Sequence, residues 1–468
     1  MIPPLPNGFR ITLDAATRRL AEGLWFGGSP ARVMRLSDAG LAAWRELADG
    51  PVSSPVTGAL ARRLTDAGLA HPCPPGIDAA DVTVVIPVLD RPALLDRCLS
   101  ALGDRHPVLV VDDGSADGAA IAEVARRHGA KLVRRPVNGG PAAARNTGLE
   151  HTAGELVAFI DSDCLPEPGW VDRLAGHFAD PLVAAVAPRI VALAPDTGPG
   201  RYARANGGLD LGDRPARVAP GARVSYVPTA ALMARRSALL DVARGGEAFD
   251  PAMPVGEDVD LVWRLHENGW RIRYDPAVRI GHHEPPTWGG LLSRRFRYGT
   301  SAAPLAVRHP TSVSPLALHP WPALTVAALL ARRPLAAAAA FGMANLTMYR
   351  RLRKAGIPTR GVPRAMAEAT YRTWLGTGRY ATQFAGPALL ALLAAGGRNR
   401  WPRRVATASL LLGPPLATWS ERRPALDPVR FTLGVLADDM AYGAGVWAGC
   451  LRHRTAVPVR PMIVRRTV

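Results

Sequence analysis

The sequence predicts an α/β fold with a mainly parallel sheet in residues 80–300, a small winged-helix-like unit in residues 1–75 and a basic, apolar helical region in residues 301–468. Three observations carry this. Strand and helix signals alternate through the middle of the chain. Two short, capped helices follow a strand at the front. Beyond residue 300 the composition turns Ala/Leu-rich, punctuated by arginine and proline.

At the front, "GFRITLD" reads as a strand. Ser37 then opens a helix as N-cap, with Leu36 and Leu41 spaced as a hydrophobic staple, and Gly50 closes it. A second helix is expected from Thr57, burying Leu60 and Leu64 and stopping at Gly68. "HPCPPGIDAAD" reads as a linker that leaves residues 1–75 an independent unit.

Next come "VTVVIPV", a helix around "ALLDRCLSAL", "PVLVVDD", a helix around "AAIAEVARRHG", "AKLVRR" and "LVAFID". This is the rhythm of a parallel sheet with both faces covered, and such sheets bind ligands at the carboxyl ends of their strands. In the tail the uninterrupted apolar runs are mostly about 12 to 16 residues, short of the roughly 20 that a spanning helix needs. Interfacial or re-entrant helices anchored by arginine on an anionic membrane surface fit these runs, and so does a packed helical domain.

Composition excludes some classes. The formal charge is +18, yet residues 301–468 hold 23 Arg/Lys against five Asp/Glu, so the whole excess lies there. A uniformly basic nucleic-acid binder does not fit, and the second front helix offers only Arg62 and Arg63 for a DNA groove. No nucleic-acid partner is expected. Cys73, Cys98, Cys164 and Cys450 form no CxxC pair, and the amino terminus lacks a basic stretch followed by an apolar one. The expected location is the cytoplasm or the cytoplasmic face of the cell membrane.

Five stretches carry chemistry. "VVIPVLDR" ends a strand at Pro87 and delivers Asp90 to a loop, and "VLVVDDGSADG" does the same for Asp112 and Asp113. Carboxylates there can accept hydrogen bonds from a uracil imide and ribose hydroxyls, or serve as ordinary turn residues. In "NGGPAAARNTG", Gly139 and Gly140 precede Pro141 at a helix start, where free N–H groups, with Arg145 one turn on, could face a diphosphate. Asp161 and Asp163 in "FIDSD" are spaced to hold a divalent cation, Mg²⁺ or Mn²⁺, or simply to form a polar turn. Glu257 and Asp258 open a helix that runs to Asn268–Gly269. Acids there stabilise the helix dipole, and Asp258 is also placed to act as a general base. Finally, in "IGHHEPP", His282 or His283 could complete the metal site or be purely structural, and in "SRRFRYG" Arg294 and Arg297 could hold diphosphate oxygens while Tyr298 stacks on an acceptor, or form a solvated or lipid-facing patch.

Taken in order, IPVLDR, VVDDGSADG, NGGPAAARNTG, FIDSD, GEDVDLVWRL and SRRFRYG resemble the glycosyltransferase family 2 pattern over residues 80–300. The resemblance implies a GT-A nucleotide-sugar-binding fold. It makes Asp90 and Asp113 nucleotide contacts and Asp161 and Asp163 the metal-binding pair; Pro87, Asp112, Gly139, Gly140, Arg145, Asp161, Arg294 and Arg297 are expected beside them at the donor site, and His282 as a further metal ligand. Asp258, with Glu257, becomes the catalytic pair. Processive members carry a QxxRW box, whereas Arg294, Arg297 and Tyr298 stand at the matching positions here. Residues 1–75 are similar to PqqD-like domains, which bind leader peptides. The whole arrangement resembles the mycofactocin biosynthesis glycosyltransferases. That resemblance implies inverting transfer of glucose from UDP-glucose to a modified peptide, as a β-1,4 oligomer, with a pathway peptide-chaperone among the partners. The competing readings are a transferase acting on a lipid or cell-wall polymer and a non-catalytic peptide-binding scaffold.

Overall fold

The computed structural model describes residues 2–76, 81–313, 315–397 and 400–464. The chain forms two compact units, one of residues 1–193 with 207–284 and one of residues 194–206 with 285–468.

The first unit begins with strands β1 (Arg10–Leu13), β2 (Arg18–Ala21), β3 (Leu24–Gly27) and β4 (Arg32–Arg35), helices α1 (Asp38–Asp49) and α2 (Pro55–Asp66), and strand β5 (Ala70–Cys73). Ser37 caps α1 as expected, accepting from Gly40 N–H at 3.2 Å. The second helix starts two residues earlier than the sequence suggests. Ser54 is its N-cap and Thr57 closes a reciprocal capping box, so Thr57 ends the first turn rather than opening it. The three-stranded antiparallel sheet β2-β3-β4 is unanticipated, because its strands are only four residues long and two of them mix arginine with apolar residues. The expected linker also differs: His71, Pro72 and Cys73 pair antiparallel with β1, and residues 77–80 lie outside the described residues.

Nor do residues 1–75 stand apart. Arg62 of α2 makes a bidentate ion pair with Asp180 at 2.6 and 2.8 Å, both side chains buried, and Arg271 clasps Asp66 at 2.8 and 2.9 Å. Breaking such a buried pair costs about 3–5 kcal/mol, so this region is fixed to the sheet that follows.

That sheet contains β6 (Val82–Val88), β7 (Val108–Asp112), β8 (Lys131–Arg134), β9 (Leu156–Ile160), β10 (Cys164–Pro166), β11 (Val183–Leu193), β12 (Ala216–Val218), β13 (Ala231–Arg235) and β14 (Arg271–His283). Its order is β10-β14-β11-β13-β9-β6-β7-β8, with β12 on β14. Strands β6, β7, β8, β9, β11 and β14 run the same way, and β10, β12 and β13 oppose them. The mainly parallel sheet is thus as expected, and its Val/Ile-rich strands are buried on both faces. Helices α3 (Pro92–Leu102), α4 (Gly118–Arg127), α5 (Gly140–Glu150), α6 (Trp170–Ala175), α8 (Arg236–Asp241) and α9 (Glu257–Glu267) cover it. Helix α7 (Gly198–Asn206) belongs to the second unit.

The second unit adds α10 (Trp288–Thr300), α11 (Ala302–Arg308), α12 (Pro320–Leu330), α13 (Pro334–Lys354), α14 (Val362–Ala394), α15 (Arg400–Arg422) and α16 (Pro428–Arg452), with the short pair β15 (Ala317–Leu318) and β16 (Met462–Ile463). Gly443 and Gly445 let α16 meet its neighbours backbone to backbone: a Cβ at either would lie within 2.0 Å of the Gln383 or Phe296 carbonyl oxygen. Charges are buried among these helices. Arg295 lies 3.0 Å from Asp438, and Asp439 accepts from Arg379 and Gln383. No helix among the described residues is long and apolar enough to cross a membrane. This unit starts at Pro285, not at residue 301, so Arg294, Arg297 and Tyr298 fall within it.

Candidate active site

Because β6, β7, β9 and β14 are parallel, their carboxyl ends bring Asp90, Asp112, Asp113, Asp161 and His282 to one edge of the sheet. Strand β10 turns back antiparallel and pairs Cys164 with His282, which places Asp163 beside that histidine.

Not all of these acids face outward. Asp112 is fully buried. One oxygen accepts from Ser115 N–H at 2.9 Å and the other from Arg134 at 2.7 Å. It builds the turn after β7, which corrects its expected role as a donor contact. Asp113 is also buried, accepting from Arg135 and from the N–H groups of Gly139 (3.1 Å) and Gly140 (2.7 Å). Those two N–H groups are therefore not free for a diphosphate, as their place at a helix start suggested. A carboxylate from the neighbouring strand end reaches them first. Asp90 is exposed, with φ +52°, and accepts from Ala116 N–H at 2.7 Å while its own N–H donates to Ser115. Pro87 is buried within β6, opposite Val111.

Arg145 supplies the largest correction. It does not point out as a phosphate ligand. Its buried guanidinium donates to Asp161 Oδ1 at 2.7 Å and to Glu257 Oε1 at 2.8 Å, stacked 5.7 Å from the Phe249 ring. Two carboxylates behind it outcompete any outward position, since a buried cation must be paired. Neighbouring bonds hold this clasp. Asn146 bonds both the N–H and the carbonyl of Phe249, at 2.9 and 2.7 Å. Within α9, buried Arg264 pairs with Asp260 at 2.8 Å and donates to the Val242 and Ala248 carbonyls.

Gly256 has φ +88°, a left-handed turn that swings the chain into α9 and sets Glu257 and Asp258 on its first turn. The helix ends at Asn268 and Gly269, as the sequence indicates. Asp258 is partly buried and accepts from Val259 N–H at 2.8 Å. Burial pushes its carboxyl up to about 7, and the adjacent Glu257 carboxylate adds to this. Burial likewise raises Asp161, against the pull of Arg145.

Asp163 Oδ2 accepts from Arg91 at 2.6 Å, and its Oδ1 lies 3.6 Å from His282 Nε2. His282 Nδ1 bonds Glu284 Oε1 at 3.1 Å, which orients the ring toward Asp163. His283 contributes its backbone N–H to the Asp163 carbonyl, and burial lowers its imidazole pKa. Among the described residues, no group of three or more His, Cys, Asp and Glu is arranged to hold a metal ion. The set Asp161, Asp163 and His282 is therefore not preassembled, because Arg145 and Arg91 each occupy an oxygen of one aspartate. Their donor chemistry still fits a hard divalent cation: two carboxylates and an imidazole backed by a carboxylate, gathered at one strand end.

Arg294, Arg297 and Tyr298 lie on α10 of the second unit, with the Arg294 guanidinium 6.0 Å from the Tyr298 ring one turn on. Sequence reasoning missed Arg91, Arg135, Glu284 and Phe249. Arg91 and Glu284 were the legible ones, since one directly follows Asp90 and the other the histidine pair.

The chain is similar to known glycosyltransferases. The Glycosyl transferase family 2 model matches residues 83–241. The chain is 40% identical over 478 aligned positions to the pre-mycofactocin glycosyltransferase of Mycobacterium tuberculosis, covering 98% of each. It is 28% identical to the glycosyltransferase AglE of Haloferax volcanii over 47% of this chain and 71% of that one. Among solved structures, a mannosyltransferase from Pyrobaculum calidifontis in complex with GDP-mannose and Mn²⁺ is similar at 20% identity and TM-score 0.45, covering 82% and 89% of the two chains. With a family 2 match over residues 83–241 and end-to-end similarity at 40% identity, the chain belongs to glycosyltransferase family 2, in the group of the pre-mycofactocin glycosyltransferases.

Proposed function

We propose that the chain transfers glucose from UDP-glucose to a hydroxyl of the modified peptide that becomes mycofactocin, with inversion, and extends it as a β-1,4-linked oligomer. The observation that carries the chemistry is Asp258. It sits on the first turn of α9, partly buried, with its pKa raised to about 7 beside Glu257. A carboxylate tuned to that range is suited to general-base work near neutral pH. The end-to-end similarity to the pre-mycofactocin glycosyltransferase supports the acceptor.

In this reading Asp258 takes the proton of the acceptor hydroxyl. The freed oxygen attacks the anomeric carbon, forming a new C–O bond as the bond to the diphosphate breaks on the opposite face. Arg145 fixes Asp161 and Glu257, so the donor end and the base end of the site keep their spacing. Asp161, Asp163 and His282 would hold a Mg²⁺ or Mn²⁺ ion. When bound, that ion supplies positive charge to the departing diphosphate. Asp90, exposed at the end of β6, is the group best placed to meet the nucleoside. The front region, with its sheet β2-β3-β4, would bind the peptide.

The test is mass spectrometry of products formed from mixed nucleotide sugars and the pathway peptide. Successive gains of one hexose, from UDP-glucose only, support the proposal. A modified lipid with no modified peptide would overturn the acceptor assignment.

A further inference from the structure

Among the described residues, 26 large apolar side chains are left exposed. Five belong to the sheet unit and 21 to the helical unit, although the helical unit is the smaller. Scattered exposed leucines are ordinary on a soluble surface, and only a local concentration of them marks an interaction surface. It is sharpest at the turn between α12 and α13. Residues 331–336 are all exposed there, Leu335 at 86%, with Leu329 at 55% and Leu324 at 53% on the helix leading in.

The same turn carries Arg332 and Arg333, both exposed, and Arg332 is held at φ +56°. From residue 301 to 367 the sequence contains nine Arg/Lys and no Asp or Glu. A turn that offers leucines flanked by unbalanced arginines is complementary to one kind of surface, an anionic bilayer, where acyl chains take the leucines and phosphates take the guanidinium groups. A second copy of the chain would instead bring two basic tips together. No described helix is long and apolar enough to span, so contact of this kind lies in the interface.

We propose that the helical unit docks peripherally on an anionic lipid surface through the α12–α13 turn, with Leu329 and Leu335 entering the headgroup boundary and Arg332 and Arg333 on lipid phosphates. This is independent of the transfer chemistry proposed above.

Co-sedimentation of the full chain with lipid vesicles tests it, comparing pure phosphatidylcholine with vesicles holding about 30% phosphatidylglycerol. The expected result is binding about tenfold or more tighter to the anionic vesicles, lost at high salt. Leu335→Asp and the double change Arg332→Glu/Arg333→Glu should each weaken it about tenfold while leaving turnover on a soluble acceptor unchanged. These side chains are exposed, so circular dichroism should match the parent. Absence of vesicle binding by the parent overturns the proposal, as does equal binding to both vesicle types. Concentration-dependent self-association without vesicle binding assigns the surface to a second copy and overturns it too.

Discussion

Asp258→Asn should make the protein more stable, and increasingly so as pH rises. The folded carboxyl titrates near 7 against an ordinary value of 3.8, because burial and Glu257 disfavour its charged form. Between those two values the folded state binds more protons than the unfolded state, so this group's contribution to stability falls as pH rises through the window and stays low above it. A tenfold change in an ionisation constant is worth about 1.4 kcal/mol, which gives a loss of about 2–3 kcal/mol between pH 5 and pH 8. Partial solvent exposure makes that an upper bound. Asparagine is uncharged at both pH values and can keep the bond from Val259 N–H. The assay is the difference in denaturation midpoint between variant and parent at the two pH values. The variant's advantage should widen toward pH 8. An advantage that is absent, or identical at pH 5 and pH 8, would refute the claim that the fold strains against this charge.

Other perturbations probe the remaining links. Arg145→Met leaves Asp161 and Glu257 without their shared cation and should lower stability by about 3–5 kcal/mol, read by thermal melting; an unchanged melting temperature contradicts the clasp. Arg62→Ala strands buried Asp180 and should cost a similar amount, about 3–5 kcal/mol. Asp180→Asn, which removes the charge left behind, should recover part of it in the double variant. Asp163→Ala should abolish metal-dependent binding of UDP in calorimetry, and equal affinity with and without metal in the parent would sink the metal assignment. Turnover at saturating substrate should rise with pH through a midpoint near 7 and level off above it as Asp258 ionises fully. A rate that is flat from pH 5 to 8 contradicts a base in that range.

The parallel sheet was readable because its strands are short apolar runs of β-branched residues ending in acids, a length and composition that favour a buried strand over a helix. Helix α9 and the Ser37 cap were readable for the same local reason. The sheet β2-β3-β4 was not, since four-residue strands, two of them containing arginine, carry no clear alternation. At the site, sequence could say which acids reach the strand ends but not which partner reaches them first. Asp113 looked as available as Asp90, yet Gly139 and Gly140 come back to it from the next strand's loop. Arg145 looked like a phosphate ligand until the fold set Glu257, more than a hundred residues away, against its other side. Pairings of that range depend on tertiary packing rather than on local pattern.

The most direct measurement is turnover of Asp258→Asn at pH 8, with UDP-glucose and peptide both saturating and UDP affinity measured alongside. Loss of a general base should lower kcat by about 10²–10⁴ with UDP binding intact. Near-parental kcat in a folded, nucleotide-binding variant would remove Asp258 from the mechanism.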